Sequence, residues 1–133
     1  MANNLKDIYT GVNKKDKNRR KNDFYPTPPL ATYILCKYVR PPRNVVEPCA
    51  GRGNISIELE RNGHNVKSLD LYEYEKNLVN IETGVDVLKL EKQNGYEGLV
   101  TNPPYHKDLP RKIAEKTIKE YPYVAMFVRL TFL

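Results

Sequence analysis

A chain of 133 residues has room for one domain and not for two. A hydrophobic share of 40%, a charged share of 29% and a mean hydropathy of -0.65 describe a polar globular protein. No apolar run nears the roughly 20 residues of a membrane span, and the first twenty residues are polar and basic, so a cytoplasmic protein is expected, neither membrane-bound nor secreted. Two cysteines, Cys36 and Cys49, read as reduced thiols; they cannot make a disulfide framework or a four-ligand zinc site.

The net charge of +6 is concentrated at one end. Residues 1–22 carry seven bases (Lys6, Lys14, Lys15, Lys17, Arg19, Arg20, Lys21) and two acids, leaving 15 bases and 14 acids for the rest. A basic, apolar-poor arm over 1–22 is therefore expected ahead of an α/β domain over 23–133. Such an arm suits a phosphate backbone, through attraction that is independent of sequence and weakened by salt. A solvated tail with no partner is the equal alternative.

The domain opens on Asp23-Phe24-Tyr25-Pro26-Thr27-Pro28-Pro29, where residues preceding proline are driven to extended conformations. Thr27 is placed to cap a helix with Pro28 at its first position. Leu30, Ala31, Ile34, Leu35 and Tyr38 recur at helical spacing and predict an amphipathic helix over 28–39. Asn44-Val45-Val46-Glu47-Pro48 reads as a buried strand that runs into the turn Cys49-Ala50-Gly51-Arg52-Gly53-Asn54. A helix from Ile55 to the Asn62-Gly63 stop follows. The pattern then predicts a strand over 64–71, a short helix over 72–80, a weak strand over 81–87 and a strand over 98–102. A helix over 109–121, with Ile113, Ala114, Thr117 and Ile118 on one face, leads to a fifth strand over 123–130. This alternation predicts βαβ units and a mostly parallel sheet.

The unusual residues fall at predicted carboxyl ends of strands, where open parallel sheets bind ligands. Gly51-Arg52-Gly53 is too short for a dinucleotide fingerprint and lacks the Gly-Lys-Ser/Thr of a P-loop. Asp70 lies 17 residues beyond Gly53, at a position suited to a ribose diol. A nucleoside-containing cofactor without a diphosphate fits both features. Asn102-Pro103-Pro104-Tyr105 combines a side-chain amide, carbonyls with no neighbouring amide donors and an aromatic face. That set can accept both hydrogens of a planar amino group while the ring stacks on the attached base. His64 and His106 read as loop histidines, and Cys49 as a small apolar residue of the turn.

The ordered set Phe24-Tyr25-Pro26-Thr27-Pro28, Glu47-Pro48-Cys49-Ala50-Gly51-Arg52-Gly53 and Asn102-Pro103-Pro104-Tyr105 resembles S-adenosylmethionine-dependent methyltransferases of the amino-group class. It is most similar to DNA adenine-N6 methyltransferases of bacteria and phages, over residues 23 to about 133. The resemblance implies a Rossmann-like class I methyltransferase sheet and S-adenosylmethionine as cofactor, with no metal. By it, Tyr25, Thr27 and Pro28 line the methionine end of the cofactor, and Glu47, Pro48, Gly51 and Gly53 form the turn beneath it. Asp70 takes the ribose hydroxyls, and Asp86 with Val87 contacts the adenine. Asn102, Pro103, Pro104 and Tyr105 hold the target amino group in line with the sulfonium methyl. Within a duplex, the target base would have to be flipped out.

Methyltransferases of this fold have seven strands, so a sheet ending at the fifth is expected to be truncated. Its open edge would suit a second copy or a missing subunit. The Asn-Pro-Pro-Tyr tetrad also occurs in relatives acting on RNA or on protein glutamine. The basic arm favours nucleic acid, and the Phe-Tyr-Pro-Thr-Pro segment favours DNA over RNA. A noncatalytic nucleic-acid-binding relic of the fold is the alternative from a different class.

Overall fold

The structure is a computed structural model and describes residues 26–129. The basic arm, Tyr25 and the end of the predicted fifth strand lie outside the described residues. The chain runs α1 (Pro29–Tyr38), β1 (Asn44–Glu47), α2 (Asn54–Arg61), β2 (Asn65–Ser68), β3 (Gly98–Thr101), α3 (Leu109–Thr117) and β4 (Tyr123–Met126). The sheet order is β2-β1-β3-β4, and every neighbouring pair is parallel. The chain therefore winds outward from β1 in one direction and from β3 in the other. The switch point between β1 and β3 leaves a crevice at their carboxyl ends.

Successive strand side chains point to opposite faces, so the β-branched runs build two cores. Val45 and Val100 join Ile55 and Leu59 of α2 on one face, with Leu35 and Cys36 of α1 packed against them. Val46 and Leu99 join Leu69 and Tyr121 on the other, with Val85, Leu90 and Tyr96 alongside. Full burial of a valine or leucine stabilises by about 1.5–3 kcal/mol. The two central strands, buried on both faces, thus fix the crevice more firmly than the flanks do.

Several predicted elements are shorter or absent. The weak third strand over 81–87 is reduced to one parallel bridge between Leu69 and Glu82. Beyond it the amides of Gly84 and Val85 turn back to the carbonyls of Leu71 and Asp70, which ends the pairing. The predicted helix over 72–80 is irregular. Its backbone is committed elsewhere, because Lys76 accepts from Arg52 and the Leu78 amide donates to the Arg52 carbonyl. The helix expected over 28–39 begins one residue later, with Pro28 rather than Thr27 at the N-cap. Its buried stripe also differs from the predicted one: Thr32 is fully buried, while Leu30, Ile34 and Tyr38 are exposed. The apolar arc of α1 is wider than the contact it makes with α2 and the sheet. Among the described residues β4 pairs with β3 alone.

Candidate functional site

Because all four strands are parallel, the segments that follow β1, β2, β3 and β4 gather at one edge of the sheet. Glu47, the last residue of β1, is fully buried. Its Oε1 accepts hydrogen bonds from the Cys49 amide at 3.1 Å and from the Thr101 hydroxyl at 3.0 Å. Thr101 ends β3, so this contact ties together the two strands that border the switch point. Glu47 Oε2 is buried without a hydrogen-bond partner among the described residues. A buried acceptor left unpaired costs about 1–3 kcal/mol, which a bound donor would recover.

Asp70, just past β2, closes the other side of the turn. Its Oδ2 accepts from the Gly51 amide at 2.7 Å and its Oδ1 from the Tyr72 amide at 2.8 Å. Gly51 takes a left-handed φ of 60°, which aims its amide at the carboxylate without strain for a residue lacking Cβ. Gly53 serves a different need. Its φ is +94°, and a Cβ there would lie 2.6 Å from Val79 Cγ2. The second glycine of the turn thus admits Val79. Asp86 is half-buried, and its Oδ1 accepts from the Leu88 amide at 3.0 Å; the neighbouring Val87 is buried.

Asn102 follows Thr101 directly. Its Nδ2 donates to the hydroxyl of the buried Thr27 at 3.0 Å. The hydroxyl expected to cap α1 is thereby used to hold the amide. That engagement of the nitrogen gives the amide oxygen the acceptor role toward anything bound. Pro103 is buried and Pro104 half-buried, and neither has an amide to donate. The Tyr105 hydroxyl donates to the Phe127 carbonyl at 2.5 Å, and the Arg129 guanidinium lies 4.6 Å from the centre of the Tyr105 ring. The tetrad and the segment beyond β4 therefore form one wall.

The electrostatics of the edge follow from burial. Burial pushes the Glu47 carboxyl well above the ordinary carboxylate range; hydrogen bonds from Thr101 and the Cys49 amide oppose the shift, and Asp70 adds to it. Asp70 is raised by burial too, against the pull of the Tyr72, Gly51 and Leu71 amides. The Cys49 thiol is pushed well up by burial, then by the charges of Glu47, Asp70 and Asp86. Such a thiol is not a nucleophile. Three carboxyl groups thus converge on the turn, and no basic side chain acts on Glu47, Asp70 or Cys49 among the described residues.

The structure brings Thr27, Glu47, Gly51, Asp70, Asn102 and Tyr105 to one edge, as the sequence motifs imply. Sequence reasoning missed Thr101, Val79 and Arg129. Thr101 stands beside Asn102 and only strand register shows that it meets Glu47. Val79 and Arg129 act across loops that carry no motif. A groove of about 740 Å³ lined by Glu60, Val66, Asn77 and Val79 lies on the flank of α2 and β2, and Val79 links it to the Gly53 turn.

No protein-family model matches the sequence, and no curated protein matches it. Solved structures do. The N1-methyltransferase for 1,6-didemethyltoxoflavin from Burkholderia thailandensis, solved with its substrate and S-adenosylhomocysteine, superposes with a TM-score of 0.53 at 20% identity. That match covers 69% of this chain and 46% of the other. TehB from Haemophilus influenzae also gives 0.53 at 20% identity, over 83% of this chain and 42% of its own. The chain has a Rossmann-like α/β fold shared with these two solved proteins, and it spans less than half their length.

Proposed function

We propose that this chain is an S-adenosylmethionine-dependent methyltransferase domain that transfers a methyl group to an exocyclic amino nitrogen, with adenine N6 of DNA as the target. The observation that carries this reading is the hydrogen bond between Glu47 and Thr101. It sets the acidic floor of the turn one residue away from Asn102. A methyltransferase needs that adjacency, because methyl donor and acceptor must meet at the edge of one sheet.

The residues present fit the cofactor. A ligand with a sulfonium and an ammonium is drawn to a floor of Glu47, Asp70 and Asp86, and Glu47 Oε2 is a buried acceptor awaiting a donor. Thr27 and Pro28 would flank the methionine end, with Tyr25 added by the resemblance; Pro48, Gly51 and Gly53 form the turn, and Val87 would meet the adenine. When bound, S-adenosylmethionine supplies an electrophilic methyl group. The chain's own work is orientation and charge placement. The Asn102 oxygen and the Pro103 carbonyl accept the two hydrogens of the target amino group, Pro104 stiffens the loop, and the ring of Tyr105 stacks on the base. Accepting both hydrogens pyramidalises the nitrogen and exposes its lone pair. The basic arm favours a nucleic acid as the carrier of that amino group.

The test is calorimetric titration of S-adenosylmethionine into the full chain, followed by transfer of labelled methyl to DNA, RNA and protein. Asp70→Ala should abolish binding, because it releases both the Gly51 and Tyr72 amides. Asn102→Ala should keep binding and lose transfer. Folded wild-type protein that binds no cofactor would overturn the reading, and the relic would replace it.

A further inference from the structure

We propose that Arg129 is a specificity-determining residue of the target pocket, binding the phosphate next to the base that stacks on Tyr105. The substrate is then a nucleic-acid strand rather than a neutral peptide or a free heterocycle. The proposal rests on the methyltransferase reading for the role of Tyr105, and on separate observations for Arg129.

Tyr105 is held from two directions by the segment beyond β4: its hydroxyl by the Phe127 carbonyl and its ring by the Arg129 guanidinium. A guanidinium stacked on a ring keeps its N–H groups in its own plane, around the edge. That edge is the part that grips phosphate, by paired charge-assisted hydrogen bonds. At 4.6 Å from the ring centre, the guanidinium can turn that edge to a phosphate beside the ring without displacing the ring. With five donors, one guanidinium can serve a phosphate alongside its other contacts.

The surrounding charge points the same way. Arg129 is exposed, and so are His106 and Lys107, the two residues that follow Tyr105. The nearest acid in sequence, Asp108, is paired with Arg111 at 3.2 Å. Among the described residues, Arg129 and Lys107 thus place positive charge at the rim beside Tyr105, while the floor at Glu47, Asp70 and Asp86 is acidic. A cationic cofactor and an anionic substrate would each meet the complementary half. A neutral amide side chain gains nothing from the rim.

The test uses the full chain and a fluorescein-labelled single-stranded oligonucleotide containing one adenine, with and without a neutral methylphosphonate beside that adenine. Arg129→Gln should weaken binding about tenfold to a hundredfold, the span of a charge-assisted contact. It should also lower the slope of log affinity against log salt by about 0.7, the value for one phosphate on a single strand. In wild type the methylphosphonate should reproduce the loss, and in Arg129→Gln it should cost nothing more. Additive losses, or an unchanged salt slope, would overturn the proposal, as would a methylphosphonate that wild type tolerates. Anisotropy reads this without turnover. A chain that binds the strand through Arg129 yet binds no S-adenosylmethionine would sink the methyltransferase reading alone.

Discussion

Gly53→Ala is the substitution whose cost can be worked most directly from the geometry. At φ +94° a residue with a Cβ sits in the left-handed region, which costs about 1–2 kcal/mol. The new Cβ would also lie 2.6 Å from Val79 Cγ2, and overpacking of that kind costs about 1–3 kcal/mol. The sum is about 2–5 kcal/mol, against a total stability of about 5–15 kcal/mol for a domain of this size. Urea unfolding followed by far-UV and tyrosine signals should show a lower midpoint at an unchanged m-value. The two contributions can be separated. Val79→Ala removes the methyl that the new Cβ meets but leaves the backbone strain, so the double variant should recover about 1–3 kcal/mol relative to additivity. A loss below about 1 kcal/mol in Gly53→Ala, or no coupling to Val79, would refute the close packing of the turn against residues 76–79.

Two further predictions concern the site. Glu47 has a folded pKa raised above its unfolded value of about 4.3, so it binds a proton more tightly in the folded state. Its contribution is complete below that unfolded value and is lost as pH rises through the raised one; Glu47→Gln should flatten the decline of stability as pH rises above the unfolded value. The same substitution should remove proton release on S-adenosylmethionine binding, read by calorimetry in buffers of different ionisation enthalpy. An equal slope in both proteins would rule out Glu47 as the titrating group. Thr27→Val removes the partner of Asn102 Nδ2, while Thr27→Ser keeps it. The valine variant should lose about tenfold in kcat, as expected for one orienting hydrogen bond, with activity restored by serine. Equal losses in both variants would mean that Thr27 acts through packing.

The central strands and their order of chemistry were legible because β1 and β3 are buried on both faces and read as short β-branched runs ending in polar motifs. The flanks were not. Residues 72–80 have no apolar period strong enough to declare a helix, and their conformation is decided by Arg52 and Val79 contacts that no local pattern encodes. The Ile81–Val87 run had the composition of a strand, but its amides are drawn back to Leu71 and Asp70 after a single bridge. Thr27 shows the same limit at one residue. Its spacing from Pro28 suggested a cap, yet its hydroxyl is claimed by Asn102, 75 residues away. Local rules state what a group can do, and tertiary contact chooses among the options.

Charge gives the sharpest instance of that choice. Outside the arm, 15 bases and 14 acids leave the domain almost neutral, which reads as an ordinary solvated surface. The fold sorts those charges by depth. Parallel strands bring Glu47 and Asp70 to adjacent carboxyl ends and bury them, while Arg129 and Lys107 stay at the rim. Burial then holds Glu47 toward its neutral form, which lessens the repulsion between two buried carboxyl groups. A cation bound at the floor, as the methyltransferase reading requires, would reverse that balance, drawing the proton off Glu47 and giving Oε2 a partner. Neither composition nor motif spacing shows that arrangement of charge.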